Sequence, residues 1–277
     1  MGNAFLDKIT EIIAENRKRI LTALIIVAVI IVAAVIAAGK KPDKEAQTGR
    51  EYLESLEVQS TSSLEDQIRA AKQQKIEENR EQLVQQLEDG TIDVWSQFDD
   101  YVIMGDSRAV GFYYFGFLPE ERVLATGGAT IRNIEENMDK LKELNPANIF
   151  LAYGLNDISI GFWKTSDEYC SEYLSIIQKL EAEFPEAKIY VNSSILATDP
   201  AFATMEIWRD IPEWNEAVRQ MCDANGIAFV DNQEICEKYT DLHDPDGIHM
   251  QPAFYPYWGI NMIMTQYMAQ DEENQND

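Results

Sequence analysis

Histidine is nearly absent from this chain, cysteine is rare and basic residues are scarce. The 277 residues hold two histidines, so chemistry that needs an imidazole base has a choice of two rings. The three cysteines, Cys170, Cys222 and Cys236, are odd in number and far apart, which indicates neither a dense disulfide framework nor a cysteine metal site. They read as buried small hydrophobes, with one Cys222–Cys236 bridge in an oxidising space as the alternative. Lys and Arg total 23 against 48 Asp and Glu, a formal net charge of −25. A chain so short of cations argues against nucleic acid as a partner, because phosphate neutralisation needs clustered Lys and Arg. No G-x-x-x-x-G-K-S/T phosphate loop occurs and no His/Glu metal helix. What is plentiful is apolar: 45% hydrophobic and 10% aromatic residues exclude a wholly disordered chain.

The charge is unevenly spread. Residues 1–41 carry six basic and three acidic groups, and the remaining 236 carry 17 and 45, which splits the total into +3 and −28. Ile20 to Ala38 forms nineteen residues without a charge and with Thr22 alone polar. A helix of that length, at about 1.5 Å per residue, nearly spans a bilayer core of about 30 Å, and it has no polar face to turn to water. It predicts a transmembrane signal anchor at 20–38, with 1–19 cytoplasmic and the acidic remainder exported. Arg17, Lys18 and Arg19 precede the run and Lys40, Lys41 and Lys44 follow it, so the orientation rests on this being the first and only span. The rival is a cleaved secretory signal. The run exceeds the usual 7–15 residues of a signal core, which favours the uncleaved anchor.

Residues 39–92 read as linker and helical stalk. Ser62 and Glu65 have capping-box spacing, and the Gln/Glu/Lys-rich stretch that follows to Leu87 is closed by Gly90. From about residue 93 to 270, short apolar runs alternate with helical patterns. Tyr101–Met104, Val123–Ala125, Ile149–Ala152, Ile189–Val191 and Ile227–Val230 read as strands; Ile131–Leu144, Asp167–Phe184, Glu213–Asn225 and Pro252–Met268 read as helices. The alternation predicts a parallel sheet covered on both faces. The acidic end, 271–277, reads as disordered. In such sheets the reactive site lies beyond the carboxyl ends of the strands.

Four motifs stand at those places: Gly105-Asp106-Ser107-Arg108, Thr126-Gly127-Gly128-Ala129-Thr130, Tyr153-Gly154-Leu155-Asn156-Asp157, and Asp246-Gly247-Ile248-His249 before the last helix. Each alone is a common turn or cap. Their order and joint placement resemble the SGNH (GDSL-type) hydrolase family over roughly residues 98–268. The match is Gly105-Asp106-Ser107 to its Ser block, Gly128-Ala129-Thr130 to its Gly block, Gly154-Leu155-Asn156-Asp157 to its G-x-N-D block and Asp246 to His249 to its D-x-x-H block. Arg108 departs from the family name, which has Leu there. The fold class expected is α/β: a flavodoxin-like three-layer α/β/α sandwich with a five-stranded parallel sheet, preceded by a transmembrane helix and a helical stalk.

The chemistry follows from the residues themselves. A serine hydroxyl is a weak nucleophile without a base in hydrogen-bond reach. His249 has Asp246 three residues earlier to orient the ring, whereas His243 has Thr240 there and reads as a solvated loop residue. The oxyanion created by attack needs preorganised donors, for which the Ser107 and Gly128 backbone N–H groups and the Asn156 amide are the candidates. Arg108 beside the nucleophile either binds an anionic substrate group or pairs with a local carboxylate. The aromatics Phe112, Tyr113, Tyr114, Phe115 and Phe117, with Phe162 and Trp163, read mostly as core and otherwise as sugar-stacking groups. An α/β-hydrolase elbow is not matched, since residues 105–109 lack the second glycine of G-x-S-x-G.

The apolar run gives the anchor and the export, and the resemblance implies a serine esterase with no cofactor, acting on O-acetyl or similar small acyl esters of cell-wall or exported polysaccharide. Together they predict a membrane-anchored, extracytoplasmic enzyme. Its alternatives are an O-acyltransferase at the same Ser-His-Asp site, fed by a multi-span acyltransferase partner, and a non-catalytic carbohydrate-binding protein on the same fold.

Overall fold

Runs of Val, Ile, Leu, Phe and Tyr form five parallel strands: β1 (Tyr101–Gly105), β2 (Val123–Ala125), β3 (Asn148–Ala152), β4 (Lys188–Asn192) and β5 (Ala228–Val230), ordered β2-β1-β3-β4-β5. That order, in a three-layer α/β/α sandwich, is the flavodoxin-like arrangement expected. The computed structural model describes residues 74–276 except residue 76. The predicted span Ile20–Ala38, the linker and the start of the stalk lie outside the described residues. No helix among the described residues is long and apolar enough to cross a membrane.

Side chains alternate across the sheet with the period of two that a strand imposes. Val102, Met104, Ile149, Leu151, Ile189 and Val191 point to one core, and Tyr101, Ile103, Phe150 and Tyr190 to the other. On the first face lie α3 (Met138–Leu144), α5 (Ser166–Glu183) and α7 (Ile211–Asn225). Ile211, Trp214, Val218, Met221 and Cys222 keep helical spacing, so α7 turns one apolar stripe inward. The second face is covered by α2 (Ser107–Tyr114), α8 (Gln233–Lys238) and α9 (Tyr255–Asn276) through Phe112, Ile235, Cys236 and Trp258. Each fully buried side chain of this size stabilises the fold by about 1.5–3 kcal/mol.

The structure sharpens the reading of the stalk and of the cysteines. Residues 77–88, the described end of the stalk, form helix α1, whose Leu83, Val84 and Leu87 pack on the second core. Arg80 on α1 pairs with Glu234 of α8. This stretch is therefore a layer of the domain. Helix α9 runs through Asn276, and nothing from Gln270 onward is a Gly or Pro that would stop it. Cys222 and Cys236 are buried small hydrophobes, as the sequence indicates, and the alternative bridge does not form, because they belong to cores on opposite faces of the sheet; all three thiols are free. Burial pushes both thiols up to about 12, so they remain neutral packing groups.

Short helices complete the fold: α4 (Leu155–Ile160) after β3 and α6 (Asp199–Thr204) after β4. The Ile131–Leu144 segment splits into a 3-10 turn (Ile131–Asn137) and α3. Gly105 is in register with Ala125 on one side and Ala152 on the other. The turns leaving β1, β2 and β3 therefore start side by side, about 5 Å apart.

Candidate active site

The β1 turn carries Ser107 into the first position of α2. Asp106 caps that helix, its Oδ1 accepting from the Arg108 N–H at 3.0 Å. Ser107 thus stands where backbone N–H groups are unspent and the helix end favours negative charge. The loop before α9 approaches it from the other side. An antiparallel bridge between His243 and Met250 pinches that loop, and the Asp244 N–H donates to the His249 carbonyl at 2.8 Å. The tip is the turn Asp246 to His249.

The three groups meet. Ser107 Oγ lies 3.0 Å from His249 Nε2, and His249 Nδ1 lies 2.7 Å from Asp246 Oδ2. With the Nδ1 proton donated to the carboxylate, Nε2 has its lone pair toward the serine O–H, the arrangement that lets it remove that proton. Asp246 Oδ1 accepts from the Ile248 and His249 N–H groups at 2.8 and 3.0 Å. Partial burial alone would raise the Asp246 carboxyl, but the His249 ring and these two N–H groups outweigh it and hold the carboxyl below its ordinary value.

Asn156 and Gly128 come together on the flank. Asn156, in the first turn of α4, donates from Nδ2 to the Ala129 carbonyl at 3.0 Å. An amide has two such hydrogens, so a second remains for a ligand. Gly128 has φ of +78° and is exposed, a backbone that glycine adopts without strain and that other residues resist. The loop is tied to the nucleophile turn by the Thr126 N–H donating to the Gly105 carbonyl at 3.2 Å.

Asp157, the last residue of the third motif, has a part the sequence reading did not give it. It is fully buried, and its two carboxylate oxygens accept from the Ile131 and Gly154 N–H groups, both at 2.9 Å. It thus splices the Gly128 loop to the Asn156 loop. Burial pushes its carboxyl up to about 7 against these hydrogen bonds. Its adjacency to Asn156 was the visible signal.

Of the two parts open to Arg108, the structure shows the pair with a local carboxylate and not the substrate contact: it is 3% exposed, and its guanidinium is committed to Asp106, the Ile195 carbonyl and Ser194 Oγ. A buried guanidinium needs such partners because desolvating it unpaired is costly. His243 is no solvated loop residue: it is buried, with Nδ1 3.0 Å from the Thr240 carbonyl and Nε2 2.8 Å from the Leu196 carbonyl. Of the aromatics, Phe112 and Trp163 are buried while Phe162 is half exposed, under the Arg132 guanidinium. Among the described residues no three His, Cys, Asp or Glu side chains gather in the manner of a metal centre.

The profile of the GDSL-like Lipase/Acylhydrolase family matches residues 104–256, more than half of the chain and all four motifs. The chain belongs to that family. It is a serine hydrolase of the GDSL-like type. Curated relatives include the N-acylneuraminate cytidylyltransferases of Streptococcus agalactiae serotype III (strain NEM316) and serotype Ia (strain A909), each 25% identical over 151 residues. That match covers 53% of this hydrolase and 34% of the relative, so the chain spans about a third of the length of the curated relatives it matches. Similar solved structures include a GDSL-like lipase from Bacteroides thetaiotaomicron VPI-5482, at TM-score 0.49 and 17% identity, covering 62% of this chain and 88% of that one. A catalytic mutant of an acetylxylan esterase from Geobacillus stearothermophilus superposes at TM-score 0.45 and 16% identity, covering 60% and 92%.

Proposed function

We propose that this hydrolase is a membrane-anchored, extracytoplasmic esterase that removes O-acetyl or similarly small acyl groups from cell-wall or exported polysaccharide. The observation that carries the small-acyl reading is the openness of the site. The His249 and Asp246 side chains are 43% and 46% exposed, and Gly127 and Gly128 lie on the surface. A long acyl chain needs an enclosed apolar pocket. Among the described residues one cavity of about 670 Å³ lies away from the site, at the starting ends of β4 and β5, lined by Phe184, Lys188 and Ala228. One of about 480 Å³ lies between α1, α8 and α9. An open edge admits a small ester carried on a large polymer.

In this reading Ser107 Oγ attacks the ester carbonyl as His249 takes its proton. The Ser107 and Gly128 N–H groups and the Asn156 amide hold the oxyanion. The protonated His249, steadied by Asp246, returns the proton to the departing sugar hydroxyl. Water, deprotonated by the same ring, then releases the carboxylic acid and restores Ser107. The likeness to proteins named for N-acylneuraminate, an acylated sugar, supports a sugar as the carrier. The uncharged run Ile20–Ala38 supports the anchor and the export.

The test is acetate release from an acetylated oligosaccharide by the full chain, with Ser107→Ala as control, after membrane fractionation and protease treatment of intact cells. Ser107-dependent acetate release by a membrane-bound, externally cleavable protein is expected. Turnover that survives Ser107→Ala, or a protein protected inside the cell, would overturn the reading. Acetylated glycan formed in excess of free acetate, given an acetyl donor, would instead indicate transfer.

A further inference from the structure

Serine and base arrive on segments 142 residues apart, and among the described residues no bond other than their own ties α2 directly to the Asp246–His249 turn. A third segment touches both. The residues Ser193–Thr198, after β4, run beneath the site without offering a reacting group. On one side Arg108 Nη1 donates to the Ile195 carbonyl at 2.8 Å, and Nη2 donates to Ser194 Oγ at 3.0 Å. The same guanidinium donates to Asp106 Oδ1 and Oδ2 at 3.2 and 2.8 Å, so its position is set by the residue before the nucleophile. On the other side His243 Nε2 lies 2.8 Å from the Leu196 carbonyl. The Thr198 N–H donates to the Gly247 carbonyl at 2.9 Å.

We propose that 193–198 is the gauge that sets the distance between Ser107 and His249, with Arg108 and His243 as positioning residues at its two ends. This rests on the serine-hydrolase reading of the same site. Three consecutive residues, Ser194 to Leu196, are read by the two pins, so a shift of either pin moves one segment against the other. The gauge itself is held fixed. Asn215 of α7 accepts from the Ser194 N–H and donates to the Ser194 carbonyl, both at 2.8 Å, and the Ser193 N–H donates to the Val230 carbonyl at 2.9 Å. Asn232 N–H donates to Ser193 Oγ at 2.9 Å.

The choice of groups fits the task. A guanidinium offers a rigid planar fork that reads an acid and a carbonyl at once, where an ammonium has no fixed plane. A buried Asp–Arg pair adds little net stability against apolar packing, because desolvation offsets the attraction. A geometric use accounts better for its place directly under the nucleophile. His243, pinched in the bridge that forms the Asp246–His249 loop, carries any movement of Leu196 into that loop.

The experiment compares Arg108→Lys, His243→Gln and the double variant in the full chain, with a neutral acetate ester and a serine-directed phosphonate as probes, well below each melting temperature. Each single variant is expected to lower kcat and the phosphonate labelling rate together, by about tenfold to a hundredfold, since a 1 Å misplacement costs about that much. KM is expected to stay within about twofold. Because both pins hold one segment, the double variant should lose little more than the worse single one. Should Arg108→Lys not fold, Ser194→Ala, which removes one hydroxyl from the same fork, takes its place with a smaller fall in the same two rates. Additive losses, or lowered stability with kcat and labelling retained, would overturn the gauge. A wild-type chain with neither turnover nor labelling would instead overturn the hydrolase reading beneath it.

Discussion

Asn156 and Asp157 are neighbours with opposite fates, and the difference is burial. Asn156 reaches the open edge, where its amide is half used by the Ala129 carbonyl. Asn156→Ala is expected to lower kcat by about a hundredfold to a thousandfold, some 2.7–4 kcal/mol of transition-state stabilisation, with KM nearly unchanged; steady-state kinetics on a small acetate ester checks it. Asp157 is sealed in, its carboxyl raised to about 7. The sign is the reverse of the usual carboxylate. Between the ordinary Asp value near 4 and about 7, the unfolded chain has lost this proton while the folded chain keeps it, so this group's contribution to stability falls as pH rises and levels off above 7. Urea unfolding of wild type and Asp157→Asn at pH 5 and pH 8 reads it. The advantage of wild type is expected to be larger at pH 5, by at most about 2.7 kcal/mol, the two pH units between 5 and about 7 at about 1.36 kcal/mol each. Equal differences at the two pH values would contradict it. Arg108 shows what one residue's sequence hides. Its neighbour Asp106 was in plain view, but Ser194 and Ile195, which take up the rest of its donors, are brought to it by the fold alone.

At the scale of elements, the chain was most legible where one physical signal dominates. The runs Tyr101–Gly105 and Asn148–Ala152 are wholly buried, and a short continuous apolar run bounded by turn residues fits a parallel strand covered on both faces. The long helices α5 and α7 announce themselves by a repeating stripe. The helices α4, α6 and α8 have six residues each, too few to repeat a stripe, and isolated helices so short do not form without tertiary packing. The packing of α2 on α9 gives a test. A Cβ on Gly111 would lie 1.9 Å from the Tyr255 hydroxyl, which donates to the Arg108 carbonyl at 2.8 Å. Gly111→Ala forces the two helices apart and breaks that bond. A loss of about 1–3 kcal/mol by denaturant unfolding is expected, with lower activity because α2 carries Ser107. Wild-type stability in this variant would mean that the contact yields freely.

For the molecule as a whole, the governing quantity is the field around the site. The chain carries a net −25, and −28 beyond residue 41. Arg108, the cation next to the nucleophile in the chain, does not relieve it locally, because it is neutralised by Asp106. A polyanionic glycan approaching Ser107 therefore meets a repulsive potential, whereas a neutral ester meets none. Salt separates the two cases. Raising ionic strength from about 0.01 M to about 0.15 M shortens the screening length from about 30 Å to about 8 Å, which removes most long-range repulsion while leaving the 3.0 Å contact between Ser107 and His249 untouched. Over that range kcat/KM for a neutral acetate ester is expected to stay within about twofold, and that for an acetylated polyanion to rise severalfold through the association step. Parallel assays of one enzyme preparation at the two salt concentrations decide it. A polyanion rate that falls with salt would mean that a positive surface near the site captures the substrate, and the acidic field would then lie away from the path of approach.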